Sequence, residues 1–250
     1  MKKIALLSSA LLLSVCSIFA QPAEITPEGL TKNPKFRMGL SFSPVFSWLS
    51  PNGGDKFVEA DGIRLNIGYG LHTDIGLGTS RNYYFSTGVF VLNTGGTLRY
   101  TYQDPENQTF FADRTIDYRF NYINVPLTMM LRTNEIGYTV YFARVGIDNG
   151  LKIKSVYNSQ DAEIGNNRVL SKEDEDSPDF STIYRAGLHI EGGAEFNLTG
   201  TTNVFVSVTW NNGLNNIFSK DAKAWDVVDS KNSRIKGSSN ALMLNVGVYF

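Results

Sequence analysis

Residues 241–250 read Ala-Leu-Met-Leu-Asn-Val-Gly-Val-Tyr-Phe. Leu242, Leu244, Val246, Val248 and Phe250 recur at strict period two, and Ala241, Met243, Asn245, Gly247 and Tyr249 lie between them. Side chains of an extended strand point alternately to its two faces, so this pattern gives one continuous apolar face. About ten residues is also the length at which a tilted strand crosses a hydrocarbon layer.

Working outward, the same grammar recurs. From Phe36 to Trp48 the even positions are Phe36, Met38, Leu40, Phe42, Pro44, Phe46 and Trp48, against Arg37, Gly39, Ser41, Ser43, Val45 and Ser47. The next segment inverts the phase, with Ile63, Leu65, Ile67, Tyr69, Leu71, Ile75 and Leu77 apolar against Arg64, Asn66, Gly68, Gly70, His72 and Asp74. Strands are expected again around 84–102, 115–131, 138–154, 182–197 and 203–211, and 240–250 completes a set of eight. The connections at 79–82, 133–137 and 198–202 are short; those at 49–61, 103–114, 155–180 and 212–239 are long. The fold expected is all-β: an eight-stranded antiparallel transmembrane β-barrel with long extracellular loops and short periplasmic turns. A sandwich gives no reason to segregate loop lengths in this way.

Two features of the chain ends fit that expectation. Residues 1–20 read as a signal peptide, with Lys2 and Lys3 before an apolar run and a cleavage site near Ala20. The organisation expected is therefore 1–20 signal peptide, 21–35 periplasmic segment and 36–250 barrel. Cys16, the one cysteine, reads as part of the discarded leader rather than a lipidation site. The apolar stripe 242–250, closing on an aromatic, is similar to the signal by which barrel-assembly machinery takes in outer-membrane proteins.

Composition removes several function classes. One cysteine excludes a disulfide framework or a thiolate-rich metal site. A net charge of −1 gives no footprint for nucleic acid. Beyond the leader no run of about 18 apolar residues could form a membrane helix.

One strand reads irregularly. Ile116, Tyr118, Phe120 and Tyr122 are apolar at even positions, then Ile123, Val125, Leu127, Met129 and Leu131 at odd ones. A β-bulge would produce such a phase switch and re-aim every later side chain. Pro126 in the same run removes one ladder donor.

Tyr122-Ile-Asn-Val-Pro-Leu127, Asn134-Glu-Ile-Gly-Tyr138, Gly187 with Gly192-Gly193, and Gly213-Leu-Asn-Asn-Ile217 after Trp210 resemble the PorT-like outer-membrane β-barrel family over roughly 36–250. The resemblance implies a single closed barrel in a Gram-negative outer membrane. It also implies a link, through PorT itself, to type IX protein secretion, and it carries no catalytic residue across.

On these phases the lumen receives Arg37, Arg64, His72, Asp74, Asp117, Arg119, Arg144, Asp148, Arg185, His189, Glu191 and Glu195. An eight-stranded interior is only wide enough for side chains to fill, and buried charges must be paired. A salt-bridged plug is therefore expected in preference to a proton or solute path. His72 and His189, the only histidines, fall on the inner face, where an enzyme acting on lipid A acyl chains could not use them. No catalytic, cofactor-binding or metal residue is assigned. The acidic run Glu173–Asp176 with Asp179 lacks the spacing and glycine of a calcium loop and reads as a solvated loop. Lys220, Lys223, Lys231, Arg234 and Lys236 with Trp225 hint at a contact surface. Phe46, Trp48, Tyr69, Tyr83, Tyr84, Tyr100, Tyr102, Tyr138, Tyr184 and Trp210 are expected to form interfacial girdles. The function expected is a non-enzymatic envelope component, with a narrow channel and a lipid A-modifying enzyme as alternatives. The expected partners are outer-membrane lipid, the assembly machinery during biogenesis, and an envelope protein met through the long loops.

Overall fold

The computed structural model describes residues 35–51, 58–78, 82–103, 110–163, 169–176, 180–226 and 231–250, within one compact unit, Pro34–Phe250. The leader, Cys16, Asp179 and the segment before Lys35 lie outside the described residues. The strands are β1 Phe36–Pro51, β2 Val58–Ala60, β3 Arg64–Gly76, β4 Tyr83–Gln103, β5 Phe110–Arg132 and β6 Thr139–Glu163. They continue as β7 Val169–Asp176, β8 Tyr184–Thr199, β9 Thr202–Gly213, β10 Lys223–Asp226, β11 Lys231–Arg234 and β12 Gly237–Tyr249.

Eight of them close a barrel in the cyclic order β1-β3-β4-β5-β6-β8-β9-β12, every neighbour antiparallel. The chain ends join the wall to itself, with Gly39 opposite Tyr249 and Phe42 opposite Val246. Closure leaves the barrel no free edge. Gly78, Gly137 and Gly200 have φ of 65°, 67° and 56°, the left-handed conformation that short reversals need and side chains resist.

The outer wall carries the apolar stripes. Leu40, Phe42, Leu65, Ile67, Val89, Leu127, Met129, Val145, Ile147, Val206, Val208, Leu244 and Val246 are all exposed, and no charged side chain interrupts this belt among the described residues. Such a surface suits hydrocarbon and not water. Leu242, Leu244, Val246, Val248 and Phe250 face outward along β12, opposite the buried Ala241, Met243, Asn245 and Tyr249.

Two expectations are corrected. First, β5 keeps one phase: Ile116, Tyr118, Phe120, Tyr122, Asn124, Thr128, Met130 and Arg132 are all buried. The extra residue is in β6, where Asn121 pairs with Lys154 and Tyr122 with Lys152, leaving Ile153 unopposed. Burial on β6 accordingly passes from even positions (Arg144, Asp148) to odd ones (Ser155, Ser159). The apolar pattern of β5 changes at 122/123 because the surroundings change, not the facing. Below, the inner face is polar and the outer face meets lipid; above, the inner face packs against an apolar cap.

Second, the described parts of the long connections are largely structured. β4, β5 and β6 run 21, 23 and 25 residues against 12 to 16 for the other wall strands. They rise past the belt, and β7 adds to β6 there. Of the expected loop at 103–114, residues 103 and 110–114 are strand. In 212–239, β10 and β11 form a hairpin.

Pro126 interrupts the wall, since β4–β5 pairing stops at Ser86–Thr128 and resumes at Phe90–Asn124. Pro44 does the same to β1–β12 between Phe42–Val246 and Val45–Met243. In each case the ring nitrogen has no proton to donate to the ladder.

Candidate functional site

The lumen is built from the inner positions of all eight wall strands. At the end carrying the short turns, Tyr84, Met130, Phe142, Phe205 and Tyr249 make an apolar floor. Arg37 lies against it, its guanidinium carbon 4.2 Å from the Tyr249 ring centroid. Arg37 pairs with Asp74 at 2.6 Å and with Glu195 at 2.8 Å. Arg132 reaches the same Glu195 at 2.5 Å. Arg144 sits between Glu191 at 2.8 Å and Asp74 at 3.7 Å and donates to the Tyr249 hydroxyl. Ser86 donates to Asp74 at 2.5 Å.

A second tier lies above. His189 Nδ1 is 3.1 Å from Asp148 and its Nε2 3.2 Å from Glu191, so one imidazole spans two carboxylates. Ser207 donates to Glu191 at 2.5 Å, Asn211 donates to Asp148, and Arg185 donates to Asn211 and to the Ser239 carbonyl. His72 Nε2 is 2.8 Å from Ser41 Oγ. Asn245 accepts from Ser43 and donates to Ser207 and Thr209. Four buried arginines (37, 132, 144, 185) thus share the space with four buried carboxylates (74, 148, 191, 195). The formal charges balance and each group has at least one polar partner, which offsets much of the several kcal/mol that an unpaired buried ion costs, although Arg37 Nε, Arg132 Nε and Nη1, and Arg185 Nε and Nη1 are buried without one.

A cavity of about 50 Å³ remains beside His72, His189, Glu191 and Asn124, room for a few water molecules. Among the described residues no group of three or more His, Cys, Asp or Glu side chains is placed to hold a metal ion. Both histidines are turned to the lumen and neither meets the lipid.

Nine of the twelve lumen residues expected from sequence meet in these tiers: Arg37, His72, Asp74, Arg144, Asp148, Arg185, His189, Glu191 and Glu195. Asp117 and Arg119 do not. They alternate with the buried Ile116, Tyr118 and Phe120, so they face outward above the belt, where Arg119 donates to Asn158 at 2.8 Å. Arg64 pairs with Asp117, and both side chains are about a quarter exposed. It sits where β3 has parted from β4, whose mutual pairing stops at Gly68–Leu92. Arg132 was missed because it falls one residue past the expected end of its strand. Its even number, in phase with Asn124 and Thr128, is the signal that would have found it.

The other end of the lumen is capped. Above an apolar collar of Val45, Leu92, Ala241 and Met243, the segment after β9 folds inward. Ile217, Phe218, Ala222, Ala224 and Ile235 are buried against Leu49, Leu98, Ile116, Tyr118 and Phe120. Phe218 meets the Tyr118 ring edge-on with centroids 5.4 Å apart. Burial, then Tyr100 beside it, push the Tyr118 phenol well above its ordinary pKa, so it stays a neutral hydrogen-bonding group. Tyr84 and Tyr100, expected in the girdles, are buried instead, whereas Phe46, Tyr69, Tyr83, Tyr138, Tyr184 and Trp210 are exposed. The side chains of Trp225, Tyr102, Lys231 and Glu173–Asp176 lie outside the described residues.

Comparison with solved structures finds barrels of low sequence identity. Neisserial surface protein A is 10% identical, with 85% of this chain and 95% of that one covered at a TM-score of 0.41. The outer membrane protein OprG from Pseudomonas aeruginosa is 11% identical, covering 86% and 94% at 0.38. The outer membrane protease OmpT from Escherichia coli is 10% identical, covering 90% and 99% at 0.37. A comparison with curated protein sequences gives no match. The family model described as "Outer membrane protein beta-barrel domain" matches residues 19–219, from before β1 through β9. The chain is therefore an outer-membrane protein and belongs to the outer membrane protein beta-barrel domain family.

Proposed function

We propose that this barrel is a non-enzymatic envelope component that works through its extracellular face, as a binding or assembly partner of another envelope protein. The observation that carries this reading is the double closure of the lumen, by a charge-balanced network below and an apolar cap above. A lumen filled in this way leaves little for transport, and a His189 ring held between two carboxylates is spent on structure. The elements left to act are the raised β4–β7 wall and the connection 212–239, both beyond the belt. The resemblance to PorT-like proteins favours a partner in type IX secretion. During biogenesis the partner is the barrel-assembly machinery, engaged through Leu242, Leu244, Val246, Val248 and Phe250.

The test is affinity purification from mildly solubilised outer membranes, with a tag inserted between Glu163 and Val169. Stoichiometric recovery of a secretion or surface-assembly protein supports the reading. Recovery of the barrel alone removes a stable-partner role.

A further inference from the structure

Arg185 differs from the other buried arginines of the lumen. Arg37, Arg132 and Arg144 each lie within 2.8 Å of a carboxylate. Arg185 is fully buried, and its hydrogen bonds go to Asn211 Oδ1 and the Ser239 carbonyl; among the described residues it pairs with no carboxylate. Its Nε and Nη1 are buried without a partner. Asp148 is reached only through Asn211 and is already engaged by His189. Two further unpartnered groups lie beside this guanidinium. Asn124 on β5, Gly150 on β6 and Arg185 on β8 form one inward row across the ladder. Gly150, having no side chain, lets its neighbours converge: an added methyl would lie 2.5 Å from Asn124 Oδ1, 3.4 Å from Tyr122 Cδ1 and 3.5 Å from Arg185 Cβ. The Tyr122 hydroxyl and Asn124 Oδ1 are buried without a partner, and the Tyr122 phenol is close enough to feel the Arg185 charge. The cavity of about 50 Å³ adjoins the row through Asn124.

We infer that Arg185, Tyr122 and Asn124 bind one small monovalent anion of halide size, such as chloride. Arg185 brings a positive charge and two N–H groups, and Tyr122 brings one O–H. The Asn124 amide, turned by half a turn, adds an N–H in the same place. A water molecule would satisfy these donors but leave the buried charge unanswered. The charge count agrees. His189 faces a carboxylate with each ring nitrogen, and only the imidazolium donates from both. The tiers then hold five cations (four arginines and His189) against the four carboxylates Asp74, Asp148, Glu191 and Glu195, one anion short. Space for a few water molecules suits a halide and excludes a polyatomic organic anion. The inference goes beyond the partner reading and does not depend on it, because it concerns the isolated barrel.

The experiment is urea unfolding of the full chain, refolded in detergent, with sodium chloride replacing sodium gluconate stepwise. Fixed ionic strength keeps general screening constant. Only the folded barrel holds the ion, so each tenfold rise in chloride above its dissociation constant is expected to raise the folding constant by about tenfold. Tyr122→Phe, which keeps the ring, should weaken the apparent chloride affinity several-fold, and Arg185→Met should remove the dependence. Heat-modifiable mobility checks that both variants are folded, and Tyr122→Phe carries the test if Arg185→Met is not. Crystals grown with bromide should show an anomalous peak beside the Arg185 guanidinium. Equal stability in chloride and gluconate, a chloride dependence unchanged in either folded variant, or no bromide peak at Arg185 overturns the assignment. None of these results bears on co-purification of a protein partner.

Discussion

Arg37 on β1 lies 2.8 Å from Glu195 on β8, three strands away around the wall and 158 residues later in the chain. Glu195 also receives Arg132, and Arg37 also holds Asp74, so two arginines and two carboxylates form one unit. Removing a single member strands its partners in a dry interior. Arg37→Met is therefore expected to cost about 3–5 kcal/mol, measured by urea unfolding of the refolded barrel. A compensated Arg37→Met/Glu195→Gln pair should recover part of that loss, since it removes both charges together.

The belt is sensitive to a charge gained rather than a charge lost. Val246 is half-exposed on the lipid face of β12, opposite Phe42. Val246→Arg is expected to lower stability by about 2–4 kcal/mol in a bilayer. Asn245→Leu, one residue along, faces the lumen and should act by breaking the links to Ser43, Ser207 and Thr209. The two losses are told apart by repeating the unfolding in bilayers of different thickness, to which only the first should respond.

Glycines in the wall give a paired test. A methyl group at Gly146 would drive into the Leu127 carbonyl and the Thr128 backbone, whereas one at Gly192 meets nothing within 4 Å. Gly146→Ala should lower the folded fraction on electrophoresis without heating, and Gly192→Ala should leave it unchanged. Equal behaviour of the two would contradict the close approach of β5 and β6.

The cap and the network should be separable. Phe218→Ala opens a void against Tyr118 and is expected to cost about 3–5 kcal/mol of local packing. It should make 214–237 sensitive to protease on intact cells. The same variant should still fail to conduct, because the arginine–carboxylate tiers remain beneath it.

The wall was legible in the sequence because its two environments differ so sharply. Leu242 to Phe250, Phe36 to Trp48 and Ile63 to Leu77 each alternate between lipid and lumen, and Arg37, His72 and Asp74 follow from that alternation. Where a strand leaves the membrane, the rule changes. Above the belt, Tyr118 and Phe120 face a buried cap while Asp117 and Arg119 face water, so apolar no longer means outward. The same residues then read as a bulge in β5, and Asp117 and Arg119 are drawn into the lumen. The bulge itself, at Ile153 on β6, is silent because Leu151 and Ile153 continue an apolar run. The cap formed by Ile217, Phe218 and Ile235 has no periodicity to announce it, being an irregular segment held by tertiary packing.

The most direct test of a closed lumen is single-channel recording of the purified barrel in planar bilayers. The sealed arrangement gives no discrete conductance steps across the physiological voltage range, in wild type or in Phe218→Ala. Reproducible steps from the wild-type protein would contradict it and return the lumen residues to a transport role.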